Sequence, residues 1–315
     1  MTKAVALFSG GLDSILAVKL VEEQGIRVIP LHIYTWFAGN KSREFLERSR
    51  ELFGIDPVVL DMQREFFSEV LFSPKHGYGQ GMNPCIDCKV FFLKVAKSFM
   101  EKEGASFVVT GDVVGQRPMS QKRETLKLIE KEAGLDGLVL RPLSARLLEP
   151  TMPEKAGLIN RDALEGIQGR GRKRQLELAR RFGLKEIPSP AGGCLLTDPT
   201  FSKRLKALIE VKKRPKFQEV KLLRLGRMLK LNGCILIVAR NEREANALPP
   251  EELWATEDRG VSGVCVGNCA GLERVIGGIL LRYAKKRSGA VITPSGKKVL
   301  CTALPPEEVH PLIVA

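Results

Sequence analysis

The sequence predicts an α/β protein, in which a doubly wound parallel sheet is followed by a second, smaller α+β domain. Short apolar segments alternate with longer amphipathic ones through the first half of the chain, and this alternation is typical of βαβ units. The first apolar segment ends at a Gly-Gly pair, and a helical pattern follows directly. A length of 315 residues suits about two domains.

The N-terminal elements come in strand–helix order. Ala4–Phe8 is a short apolar run and predicts the first strand, and the apolar spacing from Ile15 up to Gly25 predicts the first helix. By the same criteria we expect a second strand, a second helix and a third strand, at Val28–Tyr34, 41–53 and Val58–Asp61.

Three more elements are expected before the middle of the chain. A helix with an apolar face follows a cysteine-containing turn at Cys85–Lys89. Two short apolar runs, Phe107–Gly111 and Gly137–Leu143, predict buried strands. All of these strands fit one parallel sheet with helices on both faces.

A loop rich in Pro and Gly at Pro188–Pro199 marks the domain boundary. The first domain is therefore expected over residues 1–200 and the second over 201–315. The second domain is expected to contain two strands and a helix, at Cys234–Ala239, Gly260–Val266 and Leu272–Lys286.

The balance of charges is strongly basic. Fifty Lys and Arg stand against 36 Asp and Glu, a net charge of +14 at pH 7. An excess of this size favours an anionic partner, most often nucleic acid held through its phosphates. Basic residues are concentrated over 161–185 and 201–248, where we expect RNA to bind. A basic surface that only aids solubility or thermal stability is the alternative.

The location of the protein bears on its cysteines. No apolar run reaches the roughly 18 residues of a membrane span, and the N-terminus does not resemble a signal peptide. We therefore expect a cytoplasmic protein without a membrane partner. Its seven cysteines would stay reduced there, so disulfides are not expected. Clustered cysteines then indicate metal binding or sulfur chemistry.

The turn after the first strand has the composition of a phosphate-binding loop. Gly10 and Gly11 lack Cβ atoms, so the backbone can turn tightly and direct its N–H groups at an anion. The helix that follows directs its positive end at the same place. Ser9 and Ser14 add hydroxyl donors, and Asp13 is suited to capping the helix or holding Mg²⁺.

The cysteines offer a second candidate site. Cys85 and Cys88 are spaced so that both sulfurs can bind one metal or exchange a disulfide, although a structural pair is the alternative. Cys194, taken alone, is better explained as a packing residue. Cys265 and Cys269 could join the first pair in a zinc site. The remaining two, Cys234 and Cys301, lie in apolar segments and are expected in the core.

Several stretches in the first 197 residues resemble known families. Ser9–Ser14 resembles the Ser-Gly-Gly-x-Asp-Ser PP-loop of ATP pyrophosphatases, which have a HUP-like fold. Thr110–Gln121 is similar to a Thr-Gly-Glu-x-x-Gly-Gln-x-x-Ser-Gln stretch of tRNA 4-thiouridine synthases, and Cys85–Lys89 and Arg141–Leu143 also match them in order and spacing. Asn83–Cys88 is similar to the tRNA 2-thiouridylases. We expect the protein to depart from the 4-thiouridine enzymes by having neither their N-terminal RNA-binding domains nor their rhodanese tail, which leaves the target position open.

This resemblance implies an ATP-dependent tRNA sulfurtransferase. Enzymes of that family adenylate a uridine carbonyl oxygen and replace it with sulfur at a three-cysteine site. It implies ATP and Mg²⁺ at the PP-loop and a 4Fe–4S cluster, or a persulfide, at the cysteines. The catalytic residues would be Asp13, Cys85, Cys88 and Cys194, with the three cysteines as metal ligands. The nucleotide-binding residues would be Ser9, Gly10, Gly11, Asp13, Ser14, His32, Gly111, Asp112 and Gln116.

The second domain resembles the RNA-binding domain of NFACT proteins. The similarity lies in Leu225–Leu231 and Val238–Asn246, with Ala239 where glycine is usual. This resemblance implies that the domain grips tRNA. A basic dimerisation module is the alternative.

Two other functions stay open at this point. One is a PP-loop ligase that forms an amide on a small molecule, which would explain the loop but not the cysteines or the charge. The other is a non-enzymatic RNA-binding protein with a residual nucleotide site. The partners expected are tRNA and a sulfur donor, either sulfide or a persulfide carrier. The sequence leaves open a homodimer, the uridine modified and the identity of the donor.

Overall fold

The computed structural model describes residues 1–37, 43–188, 194–258 and 260–314, with the side chains of 43–45 excepted. The chain divides into two compact units, Met1–Leu195 and Leu196–Ala315. None of the helices in the described ranges is long and apolar enough to cross a lipid bilayer.

The first unit is an α/β unit built on five strands. Its elements are β1 Lys3–Leu7, α1 Leu12–Glu22, β2 Arg27–Tyr34, α2 Arg43–Phe53, β3 Val58–Asp61, α3 Gln63–Glu69, α4 Cys85–Glu103, β4 Phe107–Val109, α5 Arg123–Ala133, β5 Val139–Leu140, α6 Met152–Lys155 and α7 Lys173–Arg181. All strand pairs are parallel, in the order β3-β2-β1-β4-β5. The predicted doubly wound sheet is confirmed.

The central strand β1 is covered on both faces. Val5 packs into a cluster with α4 and α5, whereas Ala4 and Ala6 point the other way, into a cluster with α1 and α2. Alternate residues of a strand face opposite sides, so a strand covered on both faces has to be apolar throughout. The carboxyl end of β1 therefore meets the N-terminus of α1 at the edge of the sheet where ligands gather in such folds.

The fifth strand is shorter than predicted. Only Val139–Leu140 pair with β4, although the sequence suggested a strand from Gly137 to Leu143. Pro142 has no N–H group to donate, and Ser144 N–H donates to the carbonyl of Arg141 (2.9 Å). The chain therefore turns away from the sheet just after Leu140. In the predicted helix over 41–53, positions 41 and 42 lie outside the described residues.

The second unit contains an antiparallel sheet. Its elements are α8 Pro199–Val211, α9 Phe217–Leu222, β6 Arg227–Leu231, β7 Cys234–Val238, α10 Glu242–Asn246, β8 Leu253–Thr256, β9 Ser262–Gly267, α11 Glu273–Tyr283, β10 Ser288–Ile292, β11 Lys298–Thr302 and α12 Pro306–Val309. The strand order is β11-β10-β8-β9-β7-β6. The predicted separate α+β unit is confirmed.

Two of the six strands of this sheet, β7 and β9, were expected from the sequence. The other four carry charged or small residues that hide the pattern. Arg227 and Lys230 are exposed in β6, for example, while Met228 and Leu229 are buried. The helix α11 ends at Tyr283, before the predicted Lys286, and Lys285 takes a left-handed conformation with φ of 59°.

Candidate functional site

The phosphate loop is closed by a network of short-range hydrogen bonds. Gly10 has φ of 68°, a left-handed conformation that glycine adopts without strain. Gly11 N–H donates to Ser9 Oγ (3.3 Å), and Ser14 Oγ donates to the Gly11 carbonyl (2.8 Å). Ser9 N–H in turn donates to Ser14 Oγ (3.3 Å). The two serines expected to bind phosphate thus also shape the loop at the start of α1.

A second loop packs directly against the first turn of α1. A Cβ added to Gly111 would lie 2.6 Å from the backbone carbon of Asp13 and 2.7 Å from the backbone nitrogen of Ser14. Real Cβ atoms do not approach backbone so closely, so glycine is required at this position. This contact places the segment after β4 beside the phosphate loop, which joins the predicted residues of two distant parts of the sequence.

Asp13 lies in a half-buried position between these loops. Burial raises the pKa of its carboxyl group, an effect opposed by the Gln116 and Gln175 side chains and the charge of Arg172. Gln116 Nε2 donates to Asp13 Oδ2 (3.0 Å). Among the described residues, Asp13 Oδ1 is buried with no hydrogen-bond partner. A buried carboxylate oxygen of this kind is suited to binding a hard cation such as Mg²⁺.

Asp112 has the opposite electrostatic setting, although it is one residue beyond Gly111. Burial would raise the pKa of this carboxyl, but the charges of Lys89 and Arg141, with hydrogen bonds from Lys89 and Gln121, outweigh burial and lower it. The Lys89 ammonium is hydrogen-bonded to Asp112 Oδ1, and Arg141 Nε lies 4.0 Å from Oδ2. Gln121 Nε2 also donates to Oδ1 (2.8 Å). Asp112 is therefore a buried counter-ion.

The ion network around Asp112 includes residues to which the sequence assigned no role. The Arg141 side chain is 3% exposed and is paired with Glu130 as well as with Asp112. Lys89 follows Cys88 directly and ties the first turn of α4 to the end of β4. The sequence could have pointed to these residues, because Arg141 is a charged residue next to an apolar strand and Lys89 is a charged residue next to the cysteine turn.

The Cys-x-x-Cys turn lies at the start of α4. Cys85 is the first residue of that helix, and Asn83 Nδ2 lies 3.1 Å from its Sγ atom. The carboxylate of Asp87 accepts hydrogen bonds from the backbone N–H groups of Lys75 (2.8 Å) and His76 (3.1 Å). The glycine-rich segment that precedes the turn is thereby held against it.

Cys194 lies near Cys88 despite the long separation in sequence. Burial raises the pKa of the Cys88 thiol strongly, and the neighbouring Cys194 and Cys85 raise it further, while Lys89 and Arg117 oppose this. Leu195 N–H donates to the Phe37 carbonyl (3.0 Å), which anchors the chain beside Cys194 to the end of β2. The structure thus brings the three cysteines close enough for their charges to interact. Residues 189–193, just before Cys194, lie outside the described residues.

The segment Val113–Gln121 connects the loop and the thiols. Gln116 reaches Asp13, Arg117 influences the charge on Cys88, and Met119 contacts Asn83 of the cysteine turn. This segment is held by Gly115 N–H, which donates to the Gln121 carbonyl (2.7 Å). One short stretch of chain therefore borders both candidate sites.

His32 is a buried residue of β2. Its Nδ1 atom lies 2.9 Å from the carbonyl oxygen of Phe8, so the ring contacts the backbone of the residue just before the phosphate loop.

The cysteines of the second unit differ from expectation. Cys234 and Cys269 form a disulfide, so the prediction of a chain without disulfides is wrong. Their Cα atoms are 5.3 Å apart, because the antiparallel register places Cys234 opposite Gly267, two residues before Cys269. Among the described residues, the one group of three His, Cys, Asp or Glu side chains whose ligand atoms lie within 4.8 Å of each other is Cys234, Cys265 and Cys269.

The residues that resemble the NFACT pattern lie close together in the second unit. Arg240 is paired with Glu244, and hydrogen bonds from that guanidinium lower the pKa of Glu244 to about 2. Asn241 caps α10 by accepting from Glu244 N–H (3.0 Å). A Cβ on Gly226 would lie 2.4 Å from the Val238 carbonyl. These contacts account for the motif as a folding element, and its role in RNA binding stays a prediction.

Comparison with known proteins adds a family to this geometry. Residues 1–146 match the family model described as thiamine biosynthesis protein (ThiI). A probable tRNA sulfurtransferase of Thermococcus kodakarensis is 32% identical over 149 residues, which cover 45% of this chain and 36% of that protein. The tRNA-specific 2-thiouridylase MnmA of Proteus mirabilis is 26% identical over 141 residues, 41% of this chain and 38% of that protein.

Solved structures show a weaker likeness. A crystal structure of a 4-thiouridine synthetase–RNA complex with bound ATP is 22% identical with a TM-score of 0.40, and the match covers 58% of this chain and 41% of that one. The U34-tRNA thiolase NcsA from Methanococcus maripaludis, with its 4Fe–4S cluster, is 15% identical with a TM-score of 0.36, covering 71% of each chain. Such scores are too low to support statements about this site.

The sequence relatives therefore carry the assignment. The chain spans about a third of the length of the curated relatives that it matches. The match to the ThiI family model, residues 1–146, falls on the unit that contains the phosphate loop and the Cys-x-x-Cys turn. Just under half of this chain is thus similar to the ThiI family.

Proposed function

We propose that this protein catalyses the ATP-dependent thiolation of a uridine in tRNA. The observation that carries the proposal is the segment Val113–Gln121, which contacts Asp13 of the phosphate loop and borders the cysteine turn. A base activated at the phosphate loop would therefore lie close to a sulfur held at the thiols. The similarity of residues 1–146 to sulfurtransferases supports the same assignment.

The phosphate loop would bind ATP. The backbone of Gly10 and Gly11 and the hydroxyls of Ser9 and Ser14 surround the start of α1, whose N-terminus favours anions. Asp13 Oδ1, buried without a hydrogen-bond partner among the described residues, would bind Mg²⁺. When bound, Mg²⁺ neutralises charge on the phosphates.

Adenylation makes the uridine carbonyl oxygen part of a good leaving group. The oxygen of a uridine carbonyl is a poor leaving group, so sulfur cannot displace it directly. The carbonyl oxygen attacks the α-phosphorus of ATP, and pyrophosphate departs. Sulfide then adds to the activated carbon, and AMP leaves with the original oxygen, which gives the thiocarbonyl and releases a proton.

The three thiols of the first unit would hold the sulfur. Cys85 and Cys194 both lie near Cys88, and three thiolates in one place could hold three irons of a 4Fe–4S cluster. Such a cluster supplies an iron with an open position for sulfide.

A persulfide is the second route at the same thiols. In that case a persulfide carrier transfers its outer sulfur to Cys194, and this sulfur attacks the activated carbon while AMP leaves. A partner thiol then attacks Cys194 Sγ and breaks the S–S bond, which releases the thiocarbonyl and leaves a disulfide that an external thiol reduces. Iron content separates the two routes. Protein prepared without oxygen should contain iron and sulfide if the cluster is used, and the Cys85→Ser, Cys88→Ser and Cys194→Ser variants should lose them while Cys301→Ser keeps them.

The basic segments would bind the RNA. Residues 161–185 and the second unit carry many Lys and Arg side chains, and phosphate contacts would supply most of the affinity. Several of these cations, such as Lys212 with Glu219 and Lys230 with Glu210, are already paired. The others would form the electrostatic footprint for tRNA.

The decisive experiment is a thiolation assay on unmodified tRNA. The protein is incubated without oxygen with tRNA, ATP, Mg²⁺ and sulfide, and nucleosides are identified by mass spectrometry. We expect a thiouridine that requires ATP and is lost in Cys88→Ser and Cys194→Ser but kept in Cys301→Ser. If pyrophosphate release proceeds without tRNA and no thiouridine forms, a small-molecule ligase is indicated. Tight RNA binding without ATP turnover would indicate the non-enzymatic alternative.

A further inference from the structure

The second unit contains a cluster of sulfur atoms that the proposed thiolation does not use. Cys234, Cys265 and Cys269 place their sulfurs within 4.8 Å of one another. Two of them form a disulfide, so a third thiol lies next to a bonded pair. Cys301, by contrast, belongs to the same core but lies against Gly277 of α11, outside this group.

The sheet positions these three residues rigidly. Cys234 begins β7 and Cys265 lies on β9, opposite Leu236. The chain then turns at Gly267, whose φ of 104° and closeness to the Gly233 carbonyl, 2.6 Å from an added Cβ, require glycine. Asn268 N–H donates to that same carbonyl (3.0 Å). The turn therefore brings Cys269 back against the start of β7.

The distances suit one metal ion better than a cluster. Ligands on a tetrahedral zinc, each about 2.3 Å from the metal, lie about 3.8 Å apart. Three sulfurs inside 4.8 Å need only small rotations to reach this spacing. A disulfide occupies two of the three sulfurs and leaves Cys265 unused, whereas a metal would engage all three.

Cys265 keeps a free thiol next to the disulfide of the other two cysteines. A divalent cation replaces the proton on a coordinating thiol. Cys265 and Cys269 are half-buried, which leaves room for a solvent molecule as a fourth ligand.

We propose that, in the reduced protein, Cys234, Cys265 and Cys269 bind a thiophilic divalent cation of the zinc class. Reduction comes first, because the disulfide and the metal compete for the same two sulfurs. A phosphine reductant supplies two electrons and, with water, becomes the phosphine oxide while two thiols form. Binding of the cation then releases three protons from three thiols. The site is separate from the thiols of the first unit and does not depend on the function proposed above.

Cobalt(II) is the probe that tests the site. The full chain carrying Cys85→Ser, Cys88→Ser and Cys194→Ser is reduced without oxygen and titrated with Co²⁺. We expect one equivalent to produce thiolate-to-cobalt charge transfer and the visible bands of a tetrahedral site, and Zn²⁺ to displace it. Adding Cys265→Ser should weaken Co²⁺ binding at least tenfold, whereas adding Cys301→Ser should leave it unchanged.

A second measurement needs no change in the cluster itself. In the same background protein, Zn²⁺ should slow alkylation of Cys265 and Cys269, as located by mass spectrometry of the modified peptides. The proposal is overturned if the background protein shows no tetrahedral cobalt spectrum, if Cys265→Ser and Cys301→Ser bind Co²⁺ alike, or if Zn²⁺ leaves the alkylation rates unchanged.

Discussion

Two aspartates at the same edge of the sheet show how neighbours decide the state of a carboxyl group. Asp13 has a raised pKa because burial dominates, with amide groups as its main partners. Asp112 is buried more deeply than Asp13, which would raise its pKa, but the charges of two cations outweigh burial and lower it. The first is thus available to a cation, whereas the second is already neutralised. The sequence put both at the nucleotide, and it could not separate them because Lys89 and Arg141 are distant along the chain.

Replacing Asp13 with Asn should separate stability from activity. The pKa of folded Asp13 is raised, so ionisation at neutral pH weakens the folded state, and the variant should be modestly more stable there. This gain should vanish as the pH falls toward 3.8, the ordinary value, where the wild-type carboxyl is protonated. Pyrophosphate release should fall at least about tenfold. Urea unfolding at several pH values measures the change in stability, and an assay of pyrophosphate release measures the change in activity. Unchanged turnover would contradict the role of Asp13.

Replacing Asp112 with Asn should destabilise the first unit. Lys89 and Arg141 would lose a buried counter-ion, which costs about 3 kcal/mol. Because the pKa of folded Asp112 is lowered, the full difference should be present above pH 3.8, its ordinary value, and should shrink in more acid solution. Asp136→Asn, an exposed position, is the matched control in urea unfolding. Equal stability of the two variants would show that the network contributes nothing.

At the scale of elements, the first three parallel strands were the easiest to predict. β1, β2 and β3 are apolar runs followed by clear turn residues, and the structure places them within one residue of expectation at most ends. The strands β6, β8, β10 and β11 were missed, because in an antiparallel sheet with one polar face each strand mixes charged and apolar residues. The disulfide was also missed, since the pairing of Cys234 with Cys269 depends on the register of β7 and β9.

The contact between α1 and the loop after β4 can be tested with one methyl group. In Gly111→Ala the new Cβ would lie 2.6 Å from the Asp13 backbone, so either the loop or the helix must shift. We expect a loss of about 1–3 kcal/mol in the free energy of unfolding, together with weaker ATP binding. Gly171→Ala is the control, because nothing lies within 4 Å of its added Cβ. Denaturant unfolding and calorimetry with ATP provide the comparison.

At the scale of the whole molecule, charge is the property that the sequence shows best. The net charge of +14 favours RNA, although several surface cations are paired with carboxylates. The fold class and the location of the phosphate loop were also predictable, because each depends on local pattern. The meeting of Cys194 with Cys88 was implied only by family resemblance, since nothing near Cys194 in the sequence indicates its distant partner.

Salt dependence should reveal which cations contact tRNA. Lys213 and Arg214 are exposed in the second unit, and reversing both to Glu should weaken binding and make the slope of log K against log salt shallower by roughly one to two. The same charge change at Lys94 and Lys102, exposed on α4 of the first unit, should have a smaller effect. Fluorescence titrations of tRNA at several salt concentrations measure both. Identical slopes of log K against log salt for the two double variants would contradict RNA binding by the second unit.

The position of Cys194 near the end of the first unit also has a consequence for biosynthesis. The ribosome makes Cys85 and Cys88 early, but the third thiol emerges only after all five parallel strands have been synthesised. A nascent chain therefore displays an incomplete pair of sulfurs until the sheet is finished. In the proposed function, sulfur or iron delivered too soon would find no complete set of thiols, so the order of synthesis would delay loading until the sheet that carries the phosphate loop is complete.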